Sequence, residues 1–180
     1  MLILLGAPAL SDFRLQKLLD RLHGIIPAIQ GVTAEFVHFA ELQQALTEPE
    51  QEVLEKLLEY GPSQQGSDGR GRLFLVVPRA GTISPWSSKA TDIAHNCGLT
   101  KLTRIERGIA YWVELPATAS ATELVQVRAA LHDRMVDQVL DQLESAEVLF
   151  SHEAPRVMSS VDVLGAGYPA LEQANRDLGL

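Results

Sequence analysis

The sequence predicts an α+β domain made from a duplicated strand–helix–strand–helix module. Three observations point to it. Short apolar runs stopped by Gly or Pro alternate with amphipathic helical segments along most of the 180 residues. The order strand–helix–strand–helix occurs over residues 1–62 and again over 71–146, a repeat of about 74 residues by pattern rather than by identity. Both second helices open on a hydroxyl–x–x–Glu cap, Thr47 with Glu50 and Ser120 with Glu123, in which side chain and backbone satisfy each other's orphan donors. Each half has one apolar sheet face to bury. Two such halves can stack their sheets or join them edge to edge with helices on one side, a pseudo-twofold arrangement of ferredoxin-like halves with a mostly antiparallel sheet.

The elements follow in order. Leu2–Leu5 is four apolar residues stopped by Gly6 and Pro8, a buried strand. Ser11–His23 is a helix whose Leu15, Leu18, Leu19 and Leu22 share one face, with Gly24 placed to close it. Val32–Leu42 alternates as a strand, with Val32, Ala34, Phe36 and His38 on one side and Glu35, Val37 and Phe39 on the other. The helix capped by Thr47 carries the stripe Val53, Leu54, Leu57 and Leu58 and ends at Gly61-Pro62. The polar, Gly-rich stretch Ser63–Arg72 is a surface connector. Leu73–Val77, ended by Pro78, opens the second half. A helix over Trp86–Cys97 closes at Gly98. Leu102–Leu115 is extended, with a bend at Gly108. A long helix over Ala121–Glu144 is expected from the stripe Leu124, Val127, Leu131, Met135, Val139 and Leu143.

Residues 1–150 are therefore expected to form the duplicated domain, in halves 1–62 and 71–150. A linker is expected over 151–160. Residues 161–180, with Val161–Leu164 and a short helix over Pro169–Leu178, are too small to bury their own apolar face and read as the cut-off beginning of a further domain.

Composition bounds the function. Hydrophobic residues are 46% of the chain, enough for a core, and the formal net charge is −8. That balance argues against an extended nucleic-acid surface, which requires clustered Lys and Arg. The lone Cys97 excludes an internal disulfide and a Cys-rich zinc site and suits a reducing compartment. The apolar start MLILLG is too short for a secretory signal. No window reaches the roughly 20 apolar residues of a membrane span. A soluble, cytoplasmic protein is expected, with no membrane and no nucleic acid among its partners.

Catalytic constellations are scarce. His23, His38, His95, His132 and His152 make no metal-ligand spacing, and no nucleophile elbow, phosphate loop or dinucleotide fingerprint occurs. Cys97 ends its helix, where a thiol is not activated, and reads as a small core residue. Asp133, Asp137 and Asp141, four apart, read as a solvated face of the long helix. The stretch Arg79–Gly98 is different. It delivers Ser84, Trp86, Ser87, Ser88 and Lys89 to a helix start and adds Asp92, His95 and Asn96 along the helix. A helix start needs one cap; such polar density beside a Trp reads either as an elaborate cap anchored by Trp86 or as a surface that holds an anion or meets a partner. Arg104, Glu106 and Arg107 on the next strand read as an exposed, ion-paired face.

The strings PRAGTISPWSSKATDIAHNCGL and RIERGIAYWVEL, with GAPALSDFRLQKLL, AEFVHFAEL, LHDRM and SVDVLGAGYPALEQANRDLGL in the same order, closely resemble the N-terminal region of the large, single-chain phosphoribosylformylglycinamidine synthase family of purine biosynthesis. The departures fall around residues 63–72 and 151–160. The resemblance implies an amidotransferase ligase that converts formylglycinamide ribonucleotide to the amidine with glutamine, ATP and magnesium. Its glutaminase and nucleotide-binding residues would lie outside these 180 residues, so no catalytic residue, metal or cofactor is expected in this segment. The resemblance also implies a fused pair of a small subunit, and a role in bridging synthetase and glutaminase domains. Trp86, Ser87, Ser88, Lys89, Asp92, His95 and Arg107 are the candidate interface or anion-binding residues. The alternative expectation is a stand-alone ferredoxin-like module that binds a small anionic effector at Ser87–Lys89.

Overall fold

A computed structural model describes residues 1–60, 69–151, 158 and 160–179. The first half is β1 (Leu2–Pro8), α1 (Asp12–His23), β2 (Val32–Leu42) and α2 (Glu48–Leu58); the second is β3 (Arg72–Pro78), α3 (Pro85–Asn96), β4 (Leu102–Val113) and α4 (Ala121–Leu131). The strands form one antiparallel sheet in the order β1-β2-β4-β3-β5, where β5 is Asp137–Leu140. The predicted α+β class and duplication are thus present, and the halves join edge to edge rather than by stacking.

The seam is the long β2–β4 ladder, which pairs Val32 with Val113 and continues to Glu41 with Arg104. β2 and β4 begin 70 residues apart, at Val32 and Leu102. At that offset Val37 corresponds to Arg107 and His38 to Gly108, while the ladder pairs Val37 with Gly108 and His38 with Arg107. These two rungs therefore straddle the pseudo-twofold axis. Gly108 is needed there because the strands crowd: a Cβ would lie 2.8 Å from the Val76 carbonyl oxygen and 2.7 Å from Val77 Cγ1. β4 runs unbroken through Gly108, so close approach, not the expected bend, explains this glycine.

All four helices of the duplicated module pack on one face. α1 and α4 cover one end of it, where Leu22, Val127 and Leu131 meet Ala34, Phe74, Tyr111 and Val113. α2 and α3 cover the other end, where Leu54, Leu58 and Ala94 meet Ala40, Leu102 and Ile105. The opposite face buries Val37, Phe39, Leu75, Val77 and Ala110 against Ala146 and Leu149 of a 3-10 helix, Glu144–Phe150. Both capping boxes form, at Thr47/Glu50 and Ser120/Glu123. The expected end of α2 at Gly61-Pro62, and the connector up to residue 68, lie outside the described residues; α2 stops at Leu58. So does most of the expected linker, including His152.

The long helix to Glu144 does not exist. α4 stops at Leu131, His132 turns extended (φ −140°, ψ 160°), and the Asp133 carboxylate accepts from the Met135 amide at 2.8 Å. Residues 137–140 then pair with the free edge of β3. A sheet edge with unmet hydrogen bonds outweighs a continued apolar stripe. Met135, placed on that stripe by sequence, is exposed. Asp133, Asp137 and Asp141 accordingly do not share a helix face. Asp141 instead pairs with Arg128 at 2.6 Å, and Arg128 also donates to the Val139 carbonyl at 2.8 Å.

Two smaller expectations change. Cys97 is exposed rather than a core residue, because it forms the C-cap of α3 just before Gly98, whose φ of +90° turns the chain away. The C-terminal helix, expected from Pro169, starts earlier. Asp162 caps a helix, α5 (Val163–Leu178), that begins before Pro169 and is broken at Gly167 (φ 63°, ψ −151°); none of its residues is buried. No helix among the described residues is long and apolar enough to cross a membrane.

Candidate functional site

The start of α3 is built around one buried acid. Ser84 is the N-cap, and its Oγ accepts from the Ser87 amide at 3.0 Å. Its own amide donates to Glu106 Oε1 at 3.1 Å, and its hydroxyl donates to Oε2 at 2.9 Å. Glu106, on β4, has no exposed surface. A buried carboxylate is costly unless it is bonded. Here it gains two donors and lies beside the positive end of a helix. The Ile105 amide donates to Thr91 Oγ1 at 3.1 Å, a second tie between α3 and β4. Much of the polarity at this helix start therefore fastens the helix to the sheet. Ser87 is fully buried, and its hydroxyl has no partner among the described residues.

The remaining polarity converges on the centre of the sheet, between the two helix pairs. His38 on β2 and Arg107 on β4 are ladder partners, and their side chains share the helix-bearing face. Tyr60, just after α2, accepts from Arg107 Nη1 at 3.2 Å. Its hydroxyl is also hydrogen-bonded to His38 Nε2 at 2.5 Å. The Arg107 guanidinium lies 4.3 Å from the Phe36 ring centroid and 4.7 Å from that of Trp86, with the Tyr60 ring at 5.8 Å. Trp86 also packs on His38, with centroids 5.6 Å apart. These contacts form a cation held among three aromatic rings.

His38 is the titrating member. Burial first, then the Arg107 charge, pushes its pKa from 6.5 to about 4. It is therefore neutral near pH 7. The other ring nitrogen, Nδ1, is buried. That nitrogen has no hydrogen-bond partner among the described residues, and the nearby Leu4 carbonyl pulls the pKa back only in part. Gly6 leaves room for the ring; a Cβ there would stand 2.7 Å from His38 Cε1. The Tyr60 hydroxyl thus links the Arg107 guanidinium to the neutral His38 ring.

Of the residues singled out by sequence, Trp86 and Arg107 come together in this cluster and are half-buried. Ser87 is beneath the surface. Ser88, Lys89, Asp92 and His95 lie exposed along α3, and His95 Nε2 bonds the Leu102 carbonyl at 2.7 Å. Phe36, His38, Tyr60 and Glu106 were not among the candidates. A signal existed for one of them: His38 falls in the apolar alternation of β2, an unusual place for a titratable group. The expected ion-paired strand face is not found. Glu106 is buried under Ser84, and Arg104 donates to the Leu149 carbonyl and lies over the Phe150 ring at 4.9 Å. No group of three His, Cys, Asp or Glu side chains that could hold a metal gathers among the described residues.

The fold and this cluster define a duplicated α+β domain with an aromatic–cationic centre on its helix-bearing face. The chain belongs to the formylglycinamide ribonucleotide amidotransferase N-terminal family, which matches it over residues 35–150. It is accordingly part of an amidotransferase of purine biosynthesis.

Proposed function

We propose that this domain bridges the synthetase and glutaminase domains of a full-length formylglycinamide ribonucleotide amidotransferase and performs no chemistry by itself. The enzyme would consume glutamine and ATP, with magnesium, to form formylglycinamidine ribonucleotide. Those ligands would be held by the other domains, and this one would help to align the passage of ammonia between them. The observation that carries the reading is the Trp86–Arg107 cluster. It is a half-buried aromatic and guanidinium pair, the residue types favoured at interface centres, placed mid-sheet rather than in a catalytic set. An anionic effector at Ser87–Lys89 is less well supported, since Ser87 is buried and the helix start already holds the Glu106 carboxylate. Turnover of the full-length enzyme driven by glutamine and by ammonia tests the bridging role. Trp86→Ala should lower the glutamine-driven rate more than the ammonia-driven rate. Equal, wild-type rates for both Trp86→Ala and Lys89→Ala would refute it.

A further inference from the structure

We propose that Arg107 is the receptor for one carboxylate side chain, an Asp or Glu carried by another domain of the same full-length chain. The proposal rests on the bridging reading and names the chemistry of that contact.

The guanidinium is fixed before any partner arrives. Phe36 and Trp86 hold its plane at 4.3 and 4.7 Å, and Tyr60 takes one Nη1 hydrogen at 3.2 Å. A planar fork set in this way suits two parallel bonds to a carboxylate. No acid pairs with it among the described residues. Glu106, the adjacent acid on the strand, is engaged by Ser84. His38 behind it is neutral, so among the described residues the half-buried charge is offset by aromatic faces rather than by an acid.

The surroundings select a single negative charge. Three other basic groups of the domain are already bound: Lys101 to Glu50 at 2.7 Å, Arg128 to Asp141 at 2.6 Å, and Arg104 to the Leu149 carbonyl. One fork without an acidic partner among the described residues matches the single charge and planar geometry of one carboxylate. The position agrees with a protein partner. Arg107 lies on the pseudo-twofold rungs, in the gap between the α1–α4 and α2–α3 pairs, on the face where a neighbouring domain would meet both halves at once.

Zero-length coupling reads the contact directly. Arg107→Lys keeps the charge and places an amine where the guanidinium was. Carbodiimide treatment of the full-length Arg107→Lys enzyme, followed by peptide mapping, should give an isopeptide link from position 107 to an Asp or Glu outside residues 1–180. The wild type should give none at that position. A link only to an acid within residues 1–180 would overturn the proposal. So would addition of a small acid's mass alone, or no link in a variant that keeps the wild-type melting temperature. Should that variant not fold, butanedione modification of the wild-type full-length enzyme decides. Arg107 should react more slowly in the full-length enzyme than in the 180-residue chain, and equal rates in the two would overturn the proposal. A link to an acid outside residues 1–180 combined with wild-type glutamine- and ammonia-driven rates in both Trp86→Ala and Lys89→Ala would leave this contact standing and remove the bridging role, so the two readings fail separately.

Discussion

His38 shows how one side chain ties chemistry to stability. Its imidazole has no exposed surface and faces a guanidinium through a tyrosine hydroxyl. The folded state therefore refuses a proton that the unfolded chain takes up near pH 6.5. Because the folded pKa is depressed, the stabilisation is intact above pH 6.5 and is lost as pH falls towards about 4. The loss over that window is on the order of 3 kcal/mol. Melting temperature followed from pH 7.5 to pH 4 should decline in the wild type and run much flatter in His38→Gln. A wild type that is flat over the same window would show that His38 is not held neutral. Glu50 acts in a separate, more acidic window. Lys101 and then Thr47 hold its pKa at about 2, so its contribution fades only below its ordinary pKa of 4.5.

At the scale of elements, caps and edges decide where helices begin and end. Ser120 accepts from the Glu123 amide while the Glu123 carboxylate accepts from the Ser120 amide at 2.7 Å, so α4 starts where its sequence signature lies. Ser120→Ala should cost about 1 kcal/mol, read as a lower denaturant midpoint, with Ser120→Gly milder. The other end of α4 obeys a different rule. The apolar spacing through Met135 and Val139 is compatible with helix, but the edge of β3 offers Leu75–Pro78 for pairing, and Asp137–Leu140 takes it. Arg128 locks this choice through the Val139 carbonyl and Asp141. Amide exchange should accordingly quicken over residues 137–140 in Arg128→Ala, ahead of any change in β2 or β4. Unchanged exchange there would show that strand pairing alone holds β5.

Over the whole molecule, duplication places a seam at the centre and leaves the tail apart. The β2–β4 ladder joins two halves whose helices gather at opposite ends of one face, and the aromatic–cationic cluster occupies the space between them. α5 contributes no buried residue, and Leu164, Tyr168 and Leu178 are exposed on it. Ending the chain after Ser151 should thus leave the melting temperature within about 2 °C of that of the 180-residue chain. A larger drop would mean that α5 packs on the sheet.

Local signals were sufficient for eight of the elements. The four-residue apolar run at Leu2, the alternation of β2, both capping boxes and the glycine after α3 are short-range features, satisfied within a few residues of where they are read. They determine the α+β class and its repeat, and the SPWSSKATDIAHNCG string lies within the stretch that matches the family. Other features depend on residues far apart in the chain. Edge-to-edge joining, the capture of residues 137–140 by β3, the burial of Glu106 under Ser84, and the meeting of Phe36, His38, Tyr60, Trp86 and Arg107 were decided only in three dimensions. The physical reason is the same in each case. An unpaired strand edge, a buried carboxylate and a half-buried guanidinium each demand partners, and those partners become available only once the sheet has brought distant segments together.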